Sequence, residues 1–260
     1  MNLFFREVGD PDHPPIVILH GLFGSSDNWL TISKVIAEKG YRVLLVDQRN
    51  HGQSPRADTH DYDGMAADLH EFIVEHQLDQ PVLVGHSMGG KTVMQYAMNY
   101  PNNGLPSDFS KLVVVDIAPK FYPVHHGDIL RGLSAIDLAT LTNRNVADAQ
   151  LAAYEPSPTV RQFLLKNLYR SEGRFDWRIN LPVIIREIHG IGEELSHQRT
   201  VMEPTLFIRG SESGYIADAD LPGIQKLFPN SRVETIEGAG HWVQAEKPTE
   251  FVQTLMQFLS

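Results

Sequence analysis

The sequence predicts an α/β protein with a mostly parallel central sheet, helices on both faces and one inserted helical cap. Three observations lead there: short β-branched runs that alternate with helical patterns, a glycine-flanked serine at one strand-to-helix junction, and a single long stretch where the alternation stops. Residues 3–8 alternate and precede the first apolar run, as an antiparallel edge strand would. Residues 16–19, 43–46, 82–84, 112–115, 205–208 and 233–236 are short and almost wholly apolar, which is the pattern of parallel strands buried on both faces. Helical patterns fall between them at about 28–39, 63–76, 88–99, 217–227 and 248–259. Between Pro119 and Val201 only helical patterns remain, near 128–141, 146–154, 159–169 and 182–188, separated by Pro, Gly and Asn signals and with no strand. The expected division is therefore a core of residues 1–118 and 202–260 with a cap of 119–201.

Composition narrows the chemistry. At 260 residues with 42% hydrophobic and 21% charged side chains, the chain buries a core without a metal or disulfide staple. It has no cysteine, which excludes a thiolate nucleophile, an iron–sulfur cluster and a cysteine zinc site. A net charge of −10 speaks against nucleic acid as a partner. No stretch approaches the roughly 20 apolar residues that span a bilayer, and the first residues lack a basic segment followed by an apolar run. The expectation is a cytoplasmic protein without stable membrane association; the sequence carries no signal of its oligomeric state.

The strongest motif is Gly85-His86-Ser87-Met88-Gly89-Gly90, directly after one strand run and directly before a helical pattern. A strand that turns at once into a helix holds its central residue in a strained conformation and leaves room for glycine alone two positions to either side. Ser87 is thereby presented above the sheet at a helix N-terminus, where unpaired N–H groups stabilise an anion. After the strand at 16–19 comes His20-Gly21-Leu22-Phe23-Gly24. A tetrahedral intermediate needs two prepositioned N–H groups, and the candidates are the backbone amides of Leu22 and Met88.

A serine nucleophile needs a general base, and the chain has twelve histidines. Gly238-Ala239-Gly240-His241-Trp242 singles out His241, on the loop after the last strand and at the same strand ends as Ser87. His13, His60 and His197 stand in polar surroundings and His70 and His76 on a helix, where solvation is the ordinary fate. His125-His126 is an adjacent pair whose side chains diverge, and no metal site is expected.

On these motifs the chain resembles the α/β-hydrolase superfamily from end to end, and within it the YbfF-type and abhydrolase-11-like esterases. The stretches that carry the resemblance are His20-Gly21-Leu22-Phe23-Gly24-Ser25, Asp47-Gln48-Arg49-Asn50-His51-Gly52-Gln53-Ser54, the serine turn, Val115-Asp116-Ile117-Ala118-Pro119, Arg161-Gln162-Phe163-Leu164-Leu165-Lys166-Asn167 and Gly240-His241-Trp242-Val243. The resemblance implies the α/β-hydrolase fold and hydrolysis of a small acyl ester or thioester by a serine triad with no cofactor. It leaves open an acyl-CoA-type thioesterase, a carbon–carbon bond hydrolase, a perhydrolase and a non-catalytic ligand-binding relative. Residues 47–54 are expected to buttress the oxyanion loop. Many members carry their acid in a G-x-x-D loop, but here that loop reads Gly210-Ser211-Glu212-Ser213. Asp116, ending the preceding strand, takes the role instead and keeps the chain order Ser, Asp, His. Ser213 is expected to hydrogen-bond His241 as a second orienter. Phe23, Phe121, Tyr122, Phe163, Trp177 and Trp242 are candidates for an acyl pocket, Phe23 and Trp242 foremost.

Overall fold

A computed structural model describes residues 1–105, 108–124, 126–195 and 199–260. In chain order the elements are β1 (Phe5–Val8), β2 (Pro15–Leu19), α1 (Leu30–Ala37), β3 (Arg42–Val46), α2 (Tyr62–Glu75), β4 (Val82–His86), α3 (Met88–Asn99), β5 (Lys111–Val115), α4 (Gly127–Ala135), α5 (Arg144–Leu151), α6 (Pro158–Leu165), β6 (Leu168–Ser171), β7 (Arg174–Trp177), α7 (Leu181–Gly192), β8 (Thr205–Gly210), α8 (Leu221–Leu227), β9 (Ser231–Ile236), α9 (Val243–Glu246) and α10 (Pro248–Leu259). Seven strands form one sheet in the order β1-β3-β2-β4-β5-β8-β9. β1 is the antiparallel edge, and every other pairing in this sheet is parallel.

Side chains alternate across a strand, so each strand feeds two cores. Ile16, Ile18, Val43 and Leu45 meet α1 and α10 through Ile32, Ile36, Phe251 and Leu255. Val17, Leu19, Leu44 and Val46 face the other way, onto Met65, Leu69 and Phe72 of α2 and Val93 and Met94 of α3. Cover on both faces is why the runs read as continuously apolar. The chain leaves β2 for β3 on one side and returns to place β4 on the other, so the strand order reverses at β2 and β4. Their carboxyl ends therefore open a crevice, which is where ligands bind in such sheets.

Among its described residues, the segment between β5 and β8 holds four helices and, against the sequence reading, a β-hairpin. The helix read at 159–169 stops at Leu165, and β6 pairs with β7 antiparallel. The turn between them is Glu172-Gly173, both with positive φ (50° and 82°), the backbone that a tight two-residue hairpin requires. A glutamate at the first of those positions is a poor sequence signal for such a turn. Leu130, Leu133, Leu151, Leu164, Leu168 and Ile184 form a core of their own, into which Phe23 of the loop after β2 inserts. Asn180, before α7, fastens the segment below: its N–H donates to the Asn50 carbonyl at 2.9 Å, and its amide to Asn50 Oδ1 at 2.9 Å.

Phe251 is fully buried and meets Trp29 edge-on, ring centroids 5.8 Å apart. Phe251→Ala is expected to cost about 3–5 kcal/mol of unfolding free energy in urea titration, the usual consequence of removing a buried phenyl ring.

Candidate active site

β4 ends at His86 and α3 begins at Met88, so Ser87 alone turns the chain. Its φ of 53° and ψ of −118° lie where side chains are strained. The turn is held from both sides. Ser87 N–H donates to the Val115 carbonyl of β5 at 3.0 Å, and Lys91 N–H closes the first turn of α3 on the Ser87 carbonyl at 3.1 Å. A Cβ at Gly85 would strike the Gly89 carbonyl, and one at Gly89 would strike the carbonyls of Leu19 and His20, so both glycines are demanded by contact.

One strand over, Asp116 repeats the device with φ 51° at the end of β5, where it is fully buried. Its Oδ1 accepts from Gly210 N–H at 3.2 Å, and its Oδ2 accepts from His241 Nδ1 at 2.8 Å. A carboxylate only accepts, so His241 carries its proton on Nδ1 and turns a bare Nε2 toward Ser87 Oγ, 3.1 Å away. The Tyr215 ring stacks on the imidazole at 3.9 Å between centroids with 17° between planes, and His86 Nε2 donates to the His241 carbonyl at 2.8 Å. Sequence reasoning missed both supports, because nothing in the local pattern around Tyr215 or His86 announces them. Ser213 corrects an expectation: its hydroxyl donates to Asp116 Oδ2, not to His241. The carboxylate carries the charge and draws the donor. Glu212, the other carboxyl of that loop, is exposed.

The amides of Leu22 and Met88 donate to no acceptor among the described residues, and both residues border a cavity at Ser87. The loop that carries Leu22 is clamped at the next peptide. Phe23 has φ 61°; its N–H donates to His51 Nε2 at 3.2 Å, and its carbonyl accepts from the amide of Asn167 at 2.7 Å. His51 accepts only while neutral, and burial pushes its pKa well below the ordinary histidine value. His20 works alike: Nδ1 donates to the Gly21 carbonyl at 2.8 Å, Nε2 accepts from Gln48 N–H at 3.0 Å, and burial lowers its pKa. Asp47 accepts from Ser26 N–H at 2.6 Å and from Gln53 N–H at 2.8 Å, tying the two loops together. His60, read as polar surface, is in fact buried against His51, ring centroids 5.3 Å apart. Its pKa is pushed down to about 4, by burial first and by the Arg49 guanidinium second.

Ser87 opens onto two cavities. The larger, about 730 Å³, is bordered by His241 and by Phe23, Phe163 and Trp242, with Glu155, Lys166 and Glu246 among its polar groups. The smaller, about 50 Å³, is bordered by Leu22, Met88, Tyr62, Tyr122, Tyr215 and residues of α7. Of the aromatic candidates, Phe121 is half exposed and Trp177 packs within the core of the inserted segment, and neither borders either of these two cavities. Among the described residues no group of three side chains suited to a metal gathers; His125 and His197 lie outside them. No helix there is long and apolar enough to cross a membrane.

A family model described as the alpha/beta hydrolase fold matches residues 14–248. The chain is similar to the sn-1-specific diacylglycerol lipase ABHD11 of Danio rerio, 38% identical over 96% of this chain and 80% of that one. It is also similar to Esterase YbfF of Escherichia coli, 36% identical over 96% of this chain and 94% of that one. Among solved structures, a marine microorganism esterase superposes with a TM-score of 0.93 at 40% identity, covering 98% of each chain.

Neutral buried histidines make stability depend on pH. His60 and His86 have folded values of about 4 and about 3, with burial as the main cause, against an unfolded value near 6.5. Between those values the unfolded chain binds protons that the folded one refuses. Their contribution is fully present above pH 6.5 and is lost as pH falls through the folded values, at about 1.4 kcal/mol per unit for each histidine. Urea unfolding between pH 7 and 5 is expected to show this slope, and His60→Leu to remove one histidine's share of it.

Proposed function

We infer the chemistry from a plain premise: the chain belongs to the α/β-hydrolase family and is a carboxylic ester hydrolase. In our reading Ser87 is the nucleophile, His241 the general base and Asp116 the acid that orients it. What supports this most directly is the unbroken run of hydrogen bonds from Asp116 through His241 to Ser87, with the imidazole in the one tautomer that base catalysis needs.

Ser87 Oγ attacks the ester carbonyl while His241 Nε2 takes its proton. The carbonyl oxygen becomes an oxyanion and is met by the amides of Leu22 and Met88, the latter at the first turn of α3, where the helix dipole adds to the hydrogen bond. Collapse expels the alcohol, which leaves with the proton from His241, and Asp116 stabilises the imidazolium in between. Water, deprotonated by the same histidine, then frees the acid from Ser87. The segment 119–201 serves as a cap over this site, with 1–118 and 202–260 as the catalytic core, and Asn167 ties the cap to the oxyanion loop. An acyl-CoA substrate is less well served: Lys166 is outnumbered by Glu155 and Glu246 around the larger cavity, and the chain carries a net charge of −10.

A fluorophosphonate is expected to add once, at Ser87, and Ser87→Ala to abolish both labelling and ester hydrolysis. Asp116→Asn should cost about 10⁴ in kcat, as loss of the tautomer does in serine proteases. Ser213→Ala should cost at most about tenfold, the worth of one supporting hydrogen bond, and Glu212→Gln nothing. A mild effect at Asp116 beside a collapse at Glu212 would refute the triad.

Asn167 touches no reacting atom, so its effect is one of position. Asn167→Ala is expected to lower kcat by about tenfold with KM nearly unchanged, because the freed Phe23 peptide misaims the Leu22 amide in the transition state. Steady-state kinetics with the fluorophosphonate titre as the active-site count would check it.

A further inference from the structure

We propose that the two cavities divide the ester at its scissile bond, the small one holding the acyl chain and the large one the alcohol. On the ester-hydrolase reading, which this inference rests on, the substrates are then short-acyl esters of bulky, apolar alcohols.

The argument is the geometry of a tetrahedral carbon. Once Ser87 Oγ has added, one substituent is the oxyanion, which must face the amides of Leu22 and Met88, and another is the leaving oxygen, which must reach His241 Nε2 to be protonated. The acyl carbon takes the direction that remains. His241 borders the large cavity and not the small one, whereas Met88 borders the small cavity and not the large one. The leaving oxygen therefore points into the large cavity, and the acyl chain passes beneath the oxyanion hole into the small one.

The small cavity sets a short limit. At about 50 Å³, against the about 30 Å³ that one water occupies in the liquid, it admits about two or three heavy atoms beyond the carbonyl carbon. That is the span from acetyl to a short butyryl-type chain. Its walls are fixed. The Tyr62 hydroxyl donates to the Ile191 carbonyl at 2.8 Å and the Tyr122 hydroxyl to the Tyr215 carbonyl at 2.6 Å. Behind both rings lies Lys91, fully buried, with Nζ 5.0 Å from the Tyr122 centroid and 5.5 Å from that of Tyr62, donating to the Glu193 carbonyl at 2.5 Å. A cation held against two aromatic faces in the interior pins these walls, so a longer chain cannot swing them aside. The large cavity, at about 730 Å³, has room for a bulky group, and Phe23, Val160, Phe163 and Trp242 give it an apolar lining for the alcohol.

Two substrate series on the full chain test this. With p-nitrophenyl esters of two to twelve acyl carbons, kcat/KM is expected to be highest between acetate and butyrate and at least tenfold lower by octanoate. With ethyl, hexyl and 3-phenylpropyl acetate, whose alcohols are of similar acidity, it is expected to rise with the size of the alcohol. Ile188→Ala, which opens the small cavity, should move the acyl optimum to longer chains and leave the alcohol series alone; Phe163→Ala should do the reverse. Val124→Leu, a conservative filling of the small cavity, should confine the enzyme to acetate and provides the test if Ile188→Ala does not fold. Octanoate turned over as well as butyrate, or an acyl optimum that follows Phe163 and not Ile188 or Val124, overturns the proposal while Ser87-dependent hydrolysis upholds the ester-hydrolase reading. Failure of every ester together with absent fluorophosphonate labelling overturns that reading and the proposal with it.

Discussion

The left-handed turn at Ser87 is the constraint on which the rest depends. A residue with φ of 53° between a strand and a helix has to be held there, since its side chain is strained and nothing local favours it. The sheet supplies one restraint through the Val115 carbonyl, α3 supplies another through Lys91 N–H, and the glycines at 85 and 89 exist because backbone carbonyls occupy the space of their missing side chains. Asp116 repeats the solution on the adjacent strand, so two strained residues at neighbouring strand ends aim at one imidazole. The hydrophobic cores on both sheet faces give the stability against which such strain is set.

Around this pair the protein uses histidine as a fixed hydrogen-bonding group and not as a titrating one. His20 and His51 each accept from a backbone amide and donate to a backbone carbonyl, and burial keeps them neutral for the task. His86, kept neutral by burial, donates to the His241 carbonyl and so holds the loop that carries it. A lysine or arginine offers no acceptor, and a carboxylate offers no donor; a neutral imidazole offers one of each, which suits the joining of two loops whose polar groups have left water. The loops around Ser87 are thus set by groups whose usefulness depends on burial.

The inserted segment is coupled to the same frame. Phe23 stands in the apolar core of that segment while its backbone is gripped at the N–H by His51 and at the carbonyl by Asn167. The aim of the Leu22 amide therefore depends on the segment being seated, and the segment also supplies, through α7, one wall of the small cavity. Seating the segment, shaping the small cavity and orienting the loop of Leu22 are one packing problem.

Periodicity and local motif were enough for the parallel sheet, the strand-to-helix serine turn and the histidine after the last strand, because each is a local demand: a strand buried on both faces must be apolar throughout, and a tight turn must be glycine-flanked. Asp116 was legible for a related reason, as the residue that ends a neighbouring strand in the right chain order. Other features were settled in three dimensions. The hairpin of β6 and β7 rests on a Glu172-Gly173 turn whose backbone the residues themselves hardly favour. Ser213 turned from the histidine to the carboxylate because charge, not sequence position, chose its acceptor. His60, polar by its neighbours in the chain, is buried by its neighbours in space, and Tyr215 meets His241 across 26 positions of sequence. Which cavity lies on which side of Ser87 is of the same kind. A chain specifies locally what the backbone must do, whereas the partners of a side chain and the volume of a pocket arise only when distant segments are packed together.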